Sequence, residues 1–577
     1  LTSTGSGVGW EDAGSGSSVT FKAFGTSSLM VGDDATGTID AANYNTGVGV
    51  DIFAALTTGD NNSVLGFNTG AALTSGEQNT FIGTNAGQAV TTGDQNVAIG
   101  QSALLVATTG DKNTMLGHRA GAAITTAGEN TFLGNEAGES TTTGGINTFI
   151  GHQAGEANTT GSSNIFVGTG AGDANTTAAD NVAVGVNALG ANTTGHSNTA
   201  VGKKALLVST TGSYNTAVGW EAGVGITSGQ SNTLMGQATG AGITDGESNA
   251  FFGMQAGYAT TTGDSNTFLG FRAGDANTTA SNNTAVGRDA LGANTTGPFN
   301  TAVGYNAMTT STTADYNNAF GHLALTAMTT GQANDCFGYK AGATITTAAS
   351  NVCVGSFSMD SGAAQTGGGN TAIGHASSRS LTSGYNNSAC GLQTLYAIST
   401  GVNNTAVGAN AGANITSGSN NQCFGVEAGK AGSPGGSITT ASGQIVVGNG
   451  DSTNAHIQID WTVASDKRDK TDVTPLDMGL SFINKLEPVT YKWDKRAKYE
   501  EGETPDGTHK ESWTDVGFLA QDVEKIEAEF GHKIEDETNL TTHMSEDEST
   551  YGLTYAKFVP MLVKSVQELS TQVDELK

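Results

Sequence analysis

Hydrophobic positions along most of this chain come in pairs, and the pairs recur every seventeen residues. Each pair stands directly before a glycine, as in Phe81-Ile82, Met115-Leu116, Phe149-Ile150, Leu234-Met235, Phe251-Phe252 and Phe268-Leu269. The glycine keeps that spacing without a slip from Gly32 to Gly355, resumes at Gly374, Gly391, Gly408 and Gly425, and ends at Gly448. Four residues before it lies an asparagine in every turn from Asn45 to Asn421. A strict short period marks a solenoid, in which one small unit stacks on the next. Helical repeats need about 33–47 residues per unit, so seventeen predicts a β-coil of two short strands and two turns. Gly, Asn and the recurring Thr-Thr-Gly supply corners, where φ > 0 is often required. The asparagines are expected to form an amide ladder along one corner. Coils about 4.8 Å apart would give a rod of roughly 120 Å.

Neighbouring residues of a strand point to opposite faces. One member of each pair therefore fills the coil and the other faces outward. A continuous outward column of Phe, Met, Leu and Ala is a large apolar patch that needs a covering surface. Three identical chains around one axis supply it, so the pattern predicts a homotrimer. Cys336, Cys353 and Cys423 take the first slot of the pair and Cys390 the second, which reads as small buried hydrophobes rather than a disulfide framework.

Composition narrows the function. The net charge of −29 argues against binding nucleic acid or anionic membrane. No apolar run approaches 18 residues, so no membrane insertion is expected. The first residues, LTSTGSGVGW, carry no leader pattern and no Met. Near residue 465 the character changes. Only about 8% of residues 1–464 are charged, against about 35% of 465–577, where four of the six prolines also lie and helical periodicity begins. The expected organisation is an N-terminal connector (1–27), a β-solenoid shaft (28–450), a linker (451–464) and a small α+β domain (465–577). In the last segment Phe558, Leu562, Val566, Leu569, Val573 and Leu576 approximate a heptad seam, predicting a coiled-coil helix with Pro560 in its first turn.

The N-T-A-V-G units at Asn198–Gly202, Asn215–Gly219, Asn300–Gly304 and Asn404–Gly408 resemble the head repeats of trimeric autotransporter adhesins, which are parallel β-rolls wound as trimers that bind host surfaces. Coil length differs from that family. Four further motifs follow in order: Ser465-Asp466-Lys467-Arg468-Asp469-Lys470, Leu486–Trp493, Gly517–Glu524 and the segment from Tyr551. Together they resemble the intramolecular chaperone auto-processing domain of endosialidase-type phage tailspikes and tail fibres. The resemblance implies a domain that trimerises the shaft and then cuts itself off between Ala464 and Ser465, with Ser465 as nucleophile and Lys470 as its activating partner. The chemistry is consistent, since a serine hydroxyl needs a nearby base and a desolvated lysine can serve. Asp466 and Arg468 are expected to set the local geometry.

A glycan hydrolase would need two carboxylates roughly 5–10 Å apart in a pocket. The shaft is poor in acids, and Glu136, Glu139 and Glu156 read as separate solvated turn residues. The slot after each repeat glycine is the most variable, and Phe67, Trp220, Phe271, Tyr305 and Tyr339 in it are candidates for a receptor-binding face. His118, His152, His322 and His375 share the slot but lie far apart, so no metal site is expected, and no cofactor. The sequence thus points to a virion tail fibre, extracellular, trimeric, binding a host-surface glycan or protein and joined to a tail or baseplate protein at its N-terminus. A trimeric cell-surface adhesin is the alternative. An ice-binding Thr array is disfavoured by Ala127, Ser228 and Ala280 in the Thr-Thr-Gly ladder.

Overall fold

The computed structural model describes residues 20–24, 26–32, 41–452, 455–458, 462–499 and 503–577. Residues 1–19 and Gly25 of the expected connector, and 453–454 and 459–461 of the expected linker, lie outside the described residues. The chain forms two compact units, residues 1–317 and 318–577.

The first unit opens with an antiparallel pair, Thr20–Phe24 against Ser28–Gly32. From Ser28–Gly32 onward every pairing is parallel, one coil to the next, up to Thr301–Val303. The protein is mainly a parallel β-solenoid with seventeen-residue coils, and one expectation needs correction. Each coil holds one strand, usually of three residues such as Thr148–Ile150, and not two. The rest of the coil is turns whose backbone groups bond directly to the next coil, as Gly138 N to Ala154 O (2.9 Å), Ser140 N to Glu156 O (3.0 Å) and Thr142 N to Thr159 O (2.8 Å). The reason is backbone handedness. Left-handed residues recur at fixed places, here Glu136 (φ 58°), Gly138 (φ 57°) and Ile146 (φ 61°), and they break the alternation a second strand would need. The Thr-Thr-Gly glycines are not left-handed, contrary to the expectation. The repeat glycine is different. Gly134 has φ 149°, and a Cβ there would sit 2.2 Å from the carbonyl oxygen of Gly151 in the next coil. Only glycine meets both conditions.

The asparagine column is a continuous buried ladder within each unit. Asn62 N donates to Asn45 Oδ1 (2.9 Å) and Asn62 Nδ2 to Gly76 O (2.9 Å), and the pattern repeats coil by coil. Ser28 Oγ starts it by accepting from Asn45 N (2.9 Å), and Gln444 N closes it on Asn421 Oδ1 (2.9 Å). A second stack, not foreseen, joins Asn158, Asn175 and Asn192 through their side-chain amides at 2.8 and 2.9 Å. It ends where Ser209 is too short to reach, leaving Asn192 Oδ1 buried without a hydrogen-bond partner.

The paired hydrophobics divide as expected. Phe81, Met115, Phe149, Leu234, Phe251 and Phe268 are fully buried, whereas Ile82, Leu116, Met235 and Leu269 are exposed. Cys336, Cys353 and Cys423 are buried free thiols. Burial pushes the Cys336 thiol well up and that of Cys423 up to about 11. Cys390 departs from the buried reading: it occupies the outward slot and is exposed.

In the second unit parallel coils run from Asn318–Phe320 to Ile445–Val447, taking in one longer step at Val352 to Thr371 and another at Gln422 to Ile445. A small domain follows, with three α-helices among the described residues: α1 (Leu480–Ile483), α2 (Ala520–Glu529) and α3 (Phe558–Glu575). Two short antiparallel pairs accompany them, Val489–Tyr491 with Asp515–Gly517 and Thr542–Met544 with Tyr551–Leu553. Its core is Met478, Phe482, Val523, Phe558 and Met561. Pro560 lies in the first turn of α3, where the missing N–H costs nothing. Of the predicted seam, Phe558 instead belongs to the domain core, while Leu562, Val566, Leu569 and Val573 are exposed along α3.

Core volume is balanced between two slots in many of the coils. Where the inward slot holds Phe, as at Phe132, Phe149 and Phe166, the left-handed slot four residues after the repeat glycine is Gly138, Gly155 or Gly172. Where it holds Ala183, Ala200 or Ala285, that slot carries Leu189, Leu206 or Leu291, all fully buried. A Cβ at Gly172 would lie 2.6 Å from the Phe166 ring. Phe166→Ala alone should therefore cost about 3–5 kcal/mol through the cavity it leaves. Adding Gly172→Leu should recover most of that loss, as read from the two denaturation midpoints, because the coil then matches the Ala183/Leu189 coil beside it.

Candidate functional site

The segment Ser465–Lys470 is a tight turn built by its own side chains. Asp466 Oδ1 accepts from Arg468 N (2.9 Å), and its other oxygen takes the Arg468 guanidinium at 2.6 Å. The hydrogen bonds from Arg468 hold the Asp466 carboxyl below its ordinary value, and those to Asp466 raise Arg468. Lys467–Asp469 form one helical turn, after which Lys470 N bonds Lys467 O at 3.3 Å. That winding brings the Lys470 ammonium back onto Ser465, with Nζ donating to Oγ at 2.6 Å. The two residues, five apart in sequence, form a bonded pair, and Ala464 precedes them directly. Ala464, Ser465 and Lys470 are all exposed.

Residues 465–532 match the family described as chaperone of endosialidase. The small domain carries an endosialidase-chaperone segment, and its first residue is Ser465. No curated protein and no solved structure matches the chain.

Each of the five expected receptor contacts directly follows a repeat glycine, four in the first unit and Tyr339 in the second. Phe67, Trp220, Tyr305 and Tyr339 are exposed and Phe271 is half-buried. In the first unit Arg288 lies between Phe271 and Tyr305, its guanidinium carbon 5.5 and 5.8 Å from the ring centroids. In the second unit Tyr339 contacts His322 (5.3 Å) and meets Phe357 edge-on (5.1 Å), with Lys340 near both rings. Phe67 and Trp220 lie many coils from these groups. Phe357 is two residues after its repeat glycine, one beyond the slot singled out in the sequence. Among the described residues, no helix is long and apolar enough to cross a membrane.

One sequence reading is overturned. Glu136, Glu139 and Glu156 are not separate: their carboxylate oxygens lie within 4.8 Å of one another. Glu139 and Glu156 are seventeen residues apart, hence stacked, and Glu136 reaches the same spot from its own turn. Arg119 pairs with Glu139, and Gln153 Nε2 donates to Glu136 (3.1 Å). Burial first, then the neighbouring Glu136, Glu139 and Asp173, raises the Glu156 pKa above 4.5. A raised carboxyl means the fold disfavours the ionised form. That penalty acts at neutral pH and disappears as pH falls below about 4.5. Glu156→Gln should accordingly raise the thermal midpoint at pH 7 and leave it unchanged at pH 3, as measured by calorimetry.

Proposed function

We propose that this chain is the structural, receptor-binding fibre of a tailed-phage virion, trimerised by its C-terminal intramolecular chaperone, which then cuts itself off before Ser465. The observation that carries the reading is the unpartnered apolar column of the shaft. Val48, Leu65, Leu116, Leu133 and Leu269 in the first unit, and Phe337, Ile373 and Val407 in the second, are exposed coil after coil. The outer face of α3 repeats the pattern with Leu562, Val566, Leu569 and Val573. Apolar surface on this scale is covered in solution by a partner, and other copies of the chain offer the same self-complementary strip. The aromatic residues Phe67, Trp220, Phe271, Tyr305 and Tyr339 would remain outside and meet a host-surface glycan or protein. The N-terminal end would join a tail or baseplate protein, and the assembled fibre would be extracellular.

In the cleavage step the Ser465 hydroxyl passes its proton to the neutral Lys470 amine, and Oγ attacks the carbonyl carbon of Ala464. The Lys470 ammonium returns that proton to the Ser465 nitrogen as the C–N bond breaks, leaving the Oγ–C ester and a free Ser465 amine. Water then hydrolyses the ester, leaving the Ala464 carboxylate and restoring the serine. Because the pair is exposed in one chain, assembly of the three chains would supply the desolvation that lets Lys470 act as a base. Cleavage then follows assembly and does not precede it.

Two measurements test this reading. Intact-mass spectrometry of the wild-type chain should give fragments of residues 1–464 and 465–577, while Ser465→Ala and Lys470→Met stay whole. An uncut wild-type chain would remove both catalytic roles. Light scattering of the Ser465→Ala chain should give about three times its 58.1 kDa mass. The triple substitution Leu562→Ser, Val566→Ser, Leu569→Ser should lower the trimer fraction at least tenfold, and a monomeric parent would overturn the trimer.

A further inference from the structure

At the Thr-Thr-Gly corner an inner coil is joined directly to the next. Its donors converge on one backbone carbonyl of the following coil. Ser399 N, Thr400 N and Gly401 N donate to Thr416 O at 2.9, 3.3 and 3.3 Å, and Ser399 Oγ joins them at 3.2 Å. Two residues earlier a further amide crosses over, Ala397 N to Ala413 O at 2.9 Å. The final corner, Thr439-Thr440-Ala441, has no following coil and should present these donors bare.

It does not. The turn between strands Thr542–Met544 and Tyr551–Leu553 lies against it, and Glu546 occupies the place of the missing carbonyl. Thr439 N, Thr440 N and Ala441 N donate to the Glu546 carboxylate at 2.8, 2.7 and 3.0 Å, with Thr439 Oγ1 at 2.8 Å and Thr440 Oγ1 as well. Asp547 replaces the second carbonyl: Ser437 N, two residues before Thr439, donates to Asp547 Oδ2 at 3.0 Å. Each of these amide donors has its counterpart in the Ser399-Thr400-Gly401 corner, and Thr440 Oγ1 adds one more. A carboxylate suits the task better than the peptide oxygen it replaces, having more lone-pair sites and a charge for the converging donors.

The turn is stiffly held. Asp547 Oδ1 accepts from Ser545 Oγ (2.5 Å), Ser549 Oγ (2.6 Å) and Ser549 N (3.1 Å). At the other end of the hairpin the buried Glu527 of α2 accepts from Thr541 N and Thr541 Oγ1, both at 2.6 Å, and from both donors of Thr542. Burial raises the Glu546 and Asp547 carboxyls, but their hydrogen bonds outweigh it and hold both down at about 2.

We propose that Glu546 and Asp547 form a surrogate rung. Their carboxylates close the open edge of the last coil in place of the absent carbonyls, and they dock the small C-terminal domain onto the shaft without any covalent link. The shaft edge is thus the partner surface that the hairpin turn is shaped to read. This inference stands independently of cleavage and of trimer formation.

Amide hydrogen exchange on the full Ser465→Ala chain tests it, since the domain then stays attached whatever the wild-type processing. In that chain Thr439, Thr440 and Ala441 should exchange as slowly as Ser399, Thr400 and Gly401. Exchange at the rate of free exposed amides would overturn the proposal with no further substitution. Adding Glu546→Ala should speed those three amides at least tenfold, with Ser399 unchanged and with Glu548→Gln, in the same turn, showing no effect. Glu546→Gln, which keeps one acceptor oxygen, should give a smaller acceleration and serves should the alanine variant misfold. Unchanged exchange in Glu546→Gln and Glu546→Ala would equally refute the surrogate rung.

Discussion

Backbone and side-chain amides in this shaft find their partners at a fixed offset of one coil, and the remaining features follow from keeping that offset. Asn62 N on Asn45 Oδ1, and Asn62 Nδ2 on Gly76 O, satisfy buried groups that would each cost about 1–3 kcal/mol if left unpaired. A slip at the stacked positions would strand them, and the two longer coils keep the ladder intact, with Asn370 N on Asn351 Oδ1 and Gln444 N on Asn421 Oδ1. The seventeen-residue period is therefore enforced by buried polar chemistry, while the hydrophobic pairs decide only which face is wet. The repeat glycine belongs to the same constraint, because coils close enough to share these bonds leave no room for a Cβ against the next carbonyl.

Much of this could be read from the chain itself. The period, the Asn ladder and the inward and outward slots are statements about spacing, and spacing is what a sequence displays. The single strand per coil was not legible, because the left-handed conformations of Glu136 and Ile146 are imposed by stacking rather than by residue type. The exchange of bulk between Phe166/Gly172 and Ala183/Leu189 lay in plain view, but it means something only once both slots are known to face one cavity. Glu136, Glu139 and Glu156 looked scattered for a related reason: in a solenoid, seventeen residues along the chain is one step in space.

The C-terminal site was legible to a different degree. The motif from Ser465 to Lys470 pointed to a pair, and the Asp466–Arg468 turn is what joins them. Its exposure could not be foreseen, since solvent access depends on everything packed around a residue. Glu546 and Asp547 carried no signal at all. In sequence they are two acids in an acidic segment, and their role exists only through the coil edge they face. Glu527 is similar, a helix residue whose buried carboxylate anchors the strand on which that turn is carried.

The coils are directional. Each presents bare donors at its Thr-Thr-Gly corner toward the following coil and offers backbone acceptors toward the preceding one. Left open, the leading edge of one molecule would fit the trailing edge of another, and shafts would add head to tail into unlimited filaments. At the trailing edge the strand Thr20–Phe24 runs antiparallel to its neighbour, the wrong direction for a parallel coil to extend. At the leading edge a carboxylate already occupies the corner donors. The first coil of the first unit and the last coil of the second are thus each closed against a further copy, one by strand direction and the other by charge.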